Sequence, residues 1–234
     1  MARRQWVKKE LNKDGLASTL SRTIQWAMAN RENVMIGGVV ILAALIFIPF
    51  LISHQMKMDT ECMDMVSQGE ILSLQNQPDR AISNLDAALA KGRKKAEPFA
   101  LLYKGNTLYS MGRYRDAIDS YKKYMEKYEK KPLTPEVLMG LACSYEQEGD
   151  YNMALSTFRN FINKYPDDPL LGEVYNGTGR CYELSGQKDM AIETYQKIST
   201  MYEGKLWGSI AKARIEALTA PPSPAVPEKK KMKP

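Results

Sequence analysis

Residues 138–166 read LMGLACSYEQEGDYNMALSTFRNFINKYP, and this stretch decides the fold class. Its apolar residues recur at intervals of three and four up to Tyr145, which is the spacing of one face of an α-helix. The pattern breaks around Gly149, and residues 151–161 form a second apolar face at the same spacing. Pro166 closes the stretch, because proline cannot continue a helix. The sequence therefore predicts two antiparallel helices joined by a tight turn.

The same pattern occurs four times along the chain. In each copy a small residue is followed twelve positions later by an alanine, and successive copies are offset by 36, 37 and 37 residues. The pairs are Gly69 and Ala81, Gly105 and Ala117, Ala142 and Ala154, and Gly179 and Ala191. Small residues at these positions allow close approach of two helices, and four such units predict an all-α solenoid. Gly112, Gly149 and Gly186 fall between the helices of a pair, where glycine favours a left-handed helix end.

This repeat resembles the tetratricopeptide repeat (TPR), which carries a small residue, an aromatic or leucine three positions later, then Ala-x-x-x-Phe/Tyr and a proline. The third copy matches nearly in full, the second and fourth lack the closing proline, and the first is degenerate. The resemblance implies a protein-binding solenoid of about four helical hairpins over residues 57–203. We expect residues 204–219 to form a capping helix and residues 220–234 to form a disordered basic tail.

A second feature, upstream of the repeats, indicates a membrane segment. Val34 to Ser53 is a run of 20 residues without a charge. As a helix it would be about 30 Å long, which matches the hydrocarbon core of a bilayer. A cleavable signal peptide would have a shorter apolar core and a small-residue cleavage site. We therefore expect a retained, single-pass transmembrane helix at 34–53.

The charge distribution bears on topology and on partners. Of the net charge of +6, residues 1–33 contribute +4, residues 57–220 contribute −1 and residues 221–234 contribute +3. A near-neutral repeat domain argues against nucleic-acid binding, which needs a clustered basic face. The positive-inside rule puts the basic arm in the cytoplasm and the repeats across the membrane. The arm at 1–33 is either an amphipathic helix on the membrane surface or a partly ordered tail.

Residues with catalytic or ligating chemistry are few. Cys62, Cys143 and Cys181 make an odd number without a CxxC pair, so we expect buried thiols, while a bridge between Cys143 and Cys181 stays open. His54 is the only histidine, and no glycine-rich phosphate loop is present. We expect no enzymatic activity, no cofactor, no metal site and no small-molecule substrate.

The TPR resemblance also implies a binding groove. In that family the second, fifth, ninth and twelfth positions of the first helix of each unit line the concave face. Carried onto this chain, those positions hold Met63, Val66 and Glu70; Phe99, Leu102, Asn106 and Tyr109; Glu136, Met139 and Glu146; and Glu173, Asn176, Arg180 and Glu183. Methionine and aromatic side chains suit adaptable binding of apolar peptide segments. The alternative is that several of these residues simply pack between helices.

One known TPR function is not implied. Some chaperone-adaptor TPR domains hold a C-terminal carboxylate with a lysine and asparagine clamp. Val66 and Glu70 occupy the positions at which that clamp has lysine and asparagine. Recognition of a terminal carboxylate is therefore not expected here.

The order of the segments is similar to that of inner-membrane TPR proteins that accompany the bacterial Sec translocon. The Lys-Lys-Glu-Leu sequence at Lys8–Leu11 adds to this likeness. The resemblance implies a membrane-anchored scaffold or chaperone-like adaptor for exported or envelope proteins, with the Sec translocon as a candidate partner. Two alternatives stay open: a structural docking protein in a fixed envelope-assembly or division complex, and a reversed topology with the repeats in the cytosol.

Overall fold

The computed structural model describes residues 18–220, and within that range the chain is all-α, with ten helices and no strands. Residues 1–17 of the arm and 221–234 of the expected tail lie outside the described range. The helices are α1 (18–29), α2 (Arg31–Leu74), α3 (Pro78–Ala90), α4 (Glu97–Ser110), α5 (Tyr114–Tyr128), α6 (Thr134–Gln147), α7 (Tyr151–Lys164), α8 (Leu171–Leu184), α9 (Lys188–Met201) and α10 (Leu206–Thr219). The chain divides into two compact units, the first ending at Met58 and the second beginning at Asp59.

The described part of the first unit consists of α1 and the beginning of α2. No side chain of α2 is buried before Cys62, and large apolar groups such as Met35 and Ile46 are 71% and 68% exposed. Among the described helices, α2 alone is long and apolar enough to cross a membrane, judged by length and composition. Pro49 lies inside this helix.

Helix α2 continues well beyond the expected end of the span. It passes Ser53 and ends at Leu74, so the first helix of the first repeat is the end of α2. Residues 54–68 contain neither glycine nor proline, and polar side chains alone do not end a helix. The apolar segment 34–53 and the first helix of the first repeat therefore belong to one helix rather than to two.

The second unit consists of helix pairs whose spacing is set by small residues. A β-carbon added at Gly69 would lie 2.7 Å from Cγ of Leu85, and one at Gly179 would lie 2.6 Å from Cε1 of Tyr195. Tyr121 occupies the equivalent place in the second pair, against Gly105. Because real β-carbons do not come this close to a neighbour, these positions accept only glycine without rearrangement. The predicted close approach is confirmed in the first, second and fourth pairs.

The turns inside the pairs follow the sequence as well. Gly112, Gly149 and Gly186 have φ angles of +73°, +80° and +77°, so the predicted left-handed helix ends are confirmed. In the degenerate first repeat Asn76 takes this conformation with φ +58°. Asparagine is the non-glycine residue that tolerates it best.

Two buried apolar clusters hold the second unit together. The smaller one joins the end of α2 to α3 and the start of α4, with Cys62, Val66 and Leu85 at its centre. The larger one runs from α4 through α10 and includes Ala211 of the last helix. On α10, Trp207 packs against Gly172 of α8, so α10 covers the last pair where a capping helix is expected.

Candidate protein-binding face

The first helix of each pair presents one row of side chains at a spacing of three, four and three. This spacing keeps four side chains on one helix face. We call two of these rows the groove rows: Glu136, Met139, Cys143 and Glu146 on α6, and Glu173, Asn176, Arg180 and Glu183 on α8.

The corresponding residues of α2 and α4 divide into buried and accessible ones. Met63 and Phe99 are half-buried and pack against the same apolar cluster as Val66. Val66 and Leu102 are 1% and 5% exposed, so they pack between helices. Met139 on α6 is also buried. Met63 and Phe99 are therefore the apolar groove candidates whose side chains remain accessible.

Asn106 and Tyr109 lie farther along α4, facing α6. The Tyr121 hydroxyl donates a hydrogen bond of 2.6 Å to Oδ1 of Asn106, which is itself exposed. A β-carbon at Gly140 of α6 would lie 2.6 Å from Cζ of Tyr121, so the ring fills the space between two repeats. Burial raises the pKa of Tyr121, which keeps the phenol protonated as the donor.

A buried ion pair joins the groove rows of α6 and α8. Nε and Nη2 of Arg180 donate to Oε1 and Oε2 of Glu146, both at 2.7 Å. The Glu146 side chain is 2% exposed and that of Arg180 is 31% exposed. Hydrogen bonding to Glu146 raises the pKa of Arg180. The one cation of the groove rows is thus already engaged by a carboxylate of the protein.

Three neighbouring groups share the surroundings of this pair. Burial raises the pKa of Cys143 and of Cys181 to about 12, and the charges of Glu146 and Arg180 act on both thiols. Burial also raises the pKa of Tyr109 of α4, which interacts with the same charges. All three cysteines of the chain are free thiols in this structure. The rows of α4, α6 and α8 therefore meet at the Glu146–Arg180 pair.

Asn176 has a different environment from the other polar residues of the face. It is 8% exposed, and its side-chain amide has no hydrogen bond within residues 18–220. Among the described residues, the Tyr124 hydroxyl is the one fully buried side-chain polar atom without a hydrogen-bond partner. The amide atoms of Asn176 also lack a partner, so they cannot be fully buried and must still reach solvent. This amide is nearly enclosed yet open to a ligand.

The carboxylates of the groove rows fall into two classes. Glu146 and Glu183 have cationic partners, since Glu183 lies 3.6 Å from Arg214 of α10. Glu136 is exposed and Glu173 is half-buried, and neither has an ion-pair partner among the described residues. The face therefore carries two carboxylates whose charge is not balanced locally.

The sequence placed these residues on one face but did not pair them. It named Arg180 as a binding residue, whereas the structure engages this guanidinium with Glu146. The signal for this pairing in the sequence was a pair of opposite charges, at the twelfth position of the third unit (Glu146) and the ninth position of the fourth (Arg180). Cys143, at the ninth position of the third unit, also lies on this face and was not among the predicted groove residues. Contact of any of these side chains with a partner stays a prediction.

Within the described residues, no group of three or more histidine, cysteine, aspartate or glutamate side chains could hold a metal ion.

Two family models described as tetratricopeptide repeat match the chain. One matches residues 136–168 and 177–203, and the other matches residues 68–132. Together these ranges cover more than half of the 234 residues. The chain belongs to the tetratricopeptide repeat family. TPR proteins are generally non-enzymatic adaptors, and no catalytic family is indicated.

Solved structures with a similar fold include TPR proteins. A TPR protein from Parabacteroides merdae aligns with a TM-score of 0.58 and 18% identity over 68% of this chain, which spans 60% of that protein. MamA aligns with a TM-score of 0.52 and 22% identity, over 69% of this chain and 90% of its own. YrrB, a TPR protein with an unusual peptide-binding site, aligns with a TM-score of 0.51 and 18% identity, over 66% of this chain and 78% of its own. Comparison with curated proteins gives no match.

Proposed function

We propose that this TPR protein is a membrane-anchored scaffold or chaperone-like adaptor that binds exported or envelope proteins through the first-helix face of its repeats. In this proposal α2 is a single-pass anchor in a bacterial inner membrane. The N-terminal arm lies in the cytoplasm and the repeats lie on the outer side. The Sec translocon is the candidate neighbour from which clients would arrive.

The anchoring part of the proposal is supported by the exposed apolar surface of α2. The apolar window of this helix has no buried residue, and side chains such as Val39, Leu45 and Phe50 are 67%, 66% and 63% exposed. Contiguous apolar surface of this size is unfavourable in water. A bilayer would cover all sides of such a helix, whereas a protein partner would cover one.

One observation carries the binding part. Met63 on α2 and Phe99 on α4 belong to one apolar cluster, yet both keep accessible side-chain surface at groove positions. A rigid helix pair that leaves a methionine and an aromatic ring accessible suits apolar segments of another protein. In YrrB a similar fold carries a peptide-binding site, which gives this use of the fold a precedent.

Site-specific photo-crosslinking in intact cells tests the binding part. A photoreactive amino acid replaces Phe99 or Glu136 on the groove face, and the control replaces Glu126, an exposed residue of α5 on the second-helix side. We expect crosslinked proteins from the two groove positions and few from Glu126. Equal yields from all three positions would contradict binding through this face.

The same experiment separates an adaptor from a fixed docking protein. Many exported proteins crosslinked at Phe99 would support the adaptor. One stoichiometric partner would support the structural docking role, which shares the face and differs in client range.

Topology needs its own measurement. Protease is added to intact spheroplasts, and the repeats are followed by immunoblot. Degradation of the repeats without lysis is expected for an outer location. Full protection until lysis would place them in the cytosol and refute the proposed orientation.

A further inference from the structure

The charge of the groove rows indicates which partners this face would favour. Four glutamates and one arginine lie on the rows of α6 and α8. Glu146 and Arg180 neutralise each other, and Arg214 forms an ion pair with Glu183. Glu136 and Glu173 remain, at the first turn of α6 and of α8. A cationic group approaching this face would meet two carboxylates that have no ion-pair partner among the described residues.

An acidic first turn alone would be explained by the helix dipole, which favours negative charge at an N-terminus. Asn176 supplies an independent observation. Its side chain is nearly enclosed but keeps some contact with solvent, lacks a hydrogen bond within the described chain and lies one turn along α8 from Glu173. An amide that is nearly enclosed and bonds to no protein group keeps only limited contact with water, so a ligand that bonds to it directly gains hydrogen bonds at little cost in hydration.

An amide side chain has one acceptor and two donor hydrogens, which match the N–H and C=O groups of a peptide backbone. Anionic ligands are disfavoured here, because Nε and Nη2 of Arg180 are both occupied by Glu146. The row on the preceding first helix, α6, includes the buried Met139 and the half-buried Cys143, neither of which is charged at neutral pH. The groove rows of these two helices therefore carry an amide that can bond to a peptide backbone, two carboxylates without an ion-pair partner in the described range, and two uncharged side chains.

We infer that the groove rows of α6 and α8 bind a peptide segment that carries a lysine or arginine next to apolar residues. The Asn176 amide bonds to the segment's backbone, and Glu136 with Glu173 receives its cationic side chain. This inference rests on the proposed function, because it names the class of segment that the same face takes.

Three fluorescein-labelled peptides test the inference on the full chain in detergent. They share an apolar sequence and differ at one central position, which is lysine, norleucine or glutamate. Fluorescence anisotropy gives the affinity at low and high salt. The protein variants are Asn176→Leu, the double variant Glu136→Gln/Glu173→Gln and the control Glu126→Gln, which alters an exposed carboxylate of α5.

We expect the lysine peptide to bind most tightly and with the steepest salt dependence. Asn176→Leu should weaken all three peptides by about tenfold without lowering the melting temperature, since the amide makes no bond inside the described protein. The double variant should remove the preference for lysine over norleucine, and Glu126→Gln should leave that preference unchanged.

The contrary outcomes are distinct. A lower melting temperature with unchanged binding in Asn176→Leu would show that the amide is structural and would overturn the inference. Equal or tighter binding of the glutamate peptide, still lost in Asn176→Leu, would refute the cationic class and leave the proposed function intact. Failure of all three peptides to bind would refute the inference, and the crosslinking experiment would then decide the proposed function separately.

Discussion

At Gly177 the absence of a side chain fixes the distance between the third and fourth repeats. A β-carbon at this position would lie 2.5 Å from Cζ of Phe158, which is fully buried. The ring therefore cannot move away, and Gly177→Ala should destabilise the protein by about 1–2 kcal/mol despite the better helix propensity of alanine.

A second background makes this prediction specific. Leucine at position 158 lacks the distal ring atoms, so in the Phe158→Leu background Gly177→Ala should be neutral or stabilising. Urea unfolding of the four proteins in this cycle measures the effect. A similar loss from Gly177→Ala in both backgrounds would show that the clash is not the cause.

The Glu146–Arg180 pair should be asymmetric in its response to substitution. Arg180→Met leaves the almost fully buried Glu146 carboxylate without its cation, and we expect a loss of about 3 kcal/mol. The double variant Arg180→Met/Glu146→Met removes both charges and should recover most of that loss. Chemical denaturation measures both values.

The surface pair Arg115–Glu148 provides the matched control. Arg115 is 87% exposed and its Nε lies 2.7 Å from Oε2 of Glu148. Arg115→Met should therefore have little effect on stability, because solvent screens an exposed ion pair. If Arg180→Met lowered the free energy of unfolding no more than this control, the Glu146–Arg180 pair would contribute no more to stability than a surface pair.

At the scale of the elements, an ion-pair cluster ties the second unit's portion of α2 to the loop before α4. Hydrogen bonds from Lys95 and Arg93 lower the pKa of Asp59 below its ordinary value of 3.8. A lowered carboxyl pKa stabilises the fold at pH values above the ordinary one, and this contribution is lost as pH falls through the lowered value.

Asp59→Asn should therefore be less stable than the native protein at pH 6, and the difference should shrink as the pH falls below 4. Urea unfolding at several pH values measures this. Asp64→Asn, which alters an exposed carboxylate of the same helix without an ion pair in the described range, should show no such convergence. A difference for Asp59→Asn that stays constant with pH would contradict the assignment.

The turn between α6 and α7 gives a prediction about backbone conformation. Gly149 has φ +80°, where an alanine costs about 1–2 kcal/mol. Gly149→Asn should cost less than Gly149→Ala although asparagine is larger, because Asn76 already adopts this conformation in the first repeat. Thermal unfolding of the two variants gives the order, and the reverse order would imply a steric rather than a conformational cause.

The sequence predicted the helices better than it predicted where one helix continues into the next segment or how side chains pair between helices. Small residues at 36 or 37 residue intervals indicated the helix pairs, and glycine indicated their turns, because both depend on local spacing. The continuity of α2 past Ser53 was not predicted, since a change from apolar to polar residues marks a change of solvent and not the end of a helix. The diagonal pairing of Glu146 with Arg180 depends on a one-turn offset between two helices, which repeat spacing does not determine.

At the scale of the whole molecule, the two units differ in the solvent that their surfaces require. The first exposes a continuous apolar helix surface, whereas residues 59–220 carry a net charge of −2 and bury their large apolar clusters. Exposed apolar residues of the second unit, such as Leu74, Met153 and Met190, belong to different helices. Scattered residues of this kind are ordinary on a water-soluble surface.

A fragment of residues 59–220 should therefore fold without detergent, because its compact unit begins at Asp59 and contains both buried clusters. We expect a helical circular-dichroism spectrum and one cooperative unfolding transition in aqueous buffer. A fragment of residues 31–220 adds the apolar part of α2 and should require detergent or vesicles to stay in solution. Flotation with added vesicles in a density gradient separates the two behaviours. If the longer fragment stayed monomeric in buffer and did not float with vesicles, the exposed surface of α2 would be covered by protein, and the anchor would have to be abandoned.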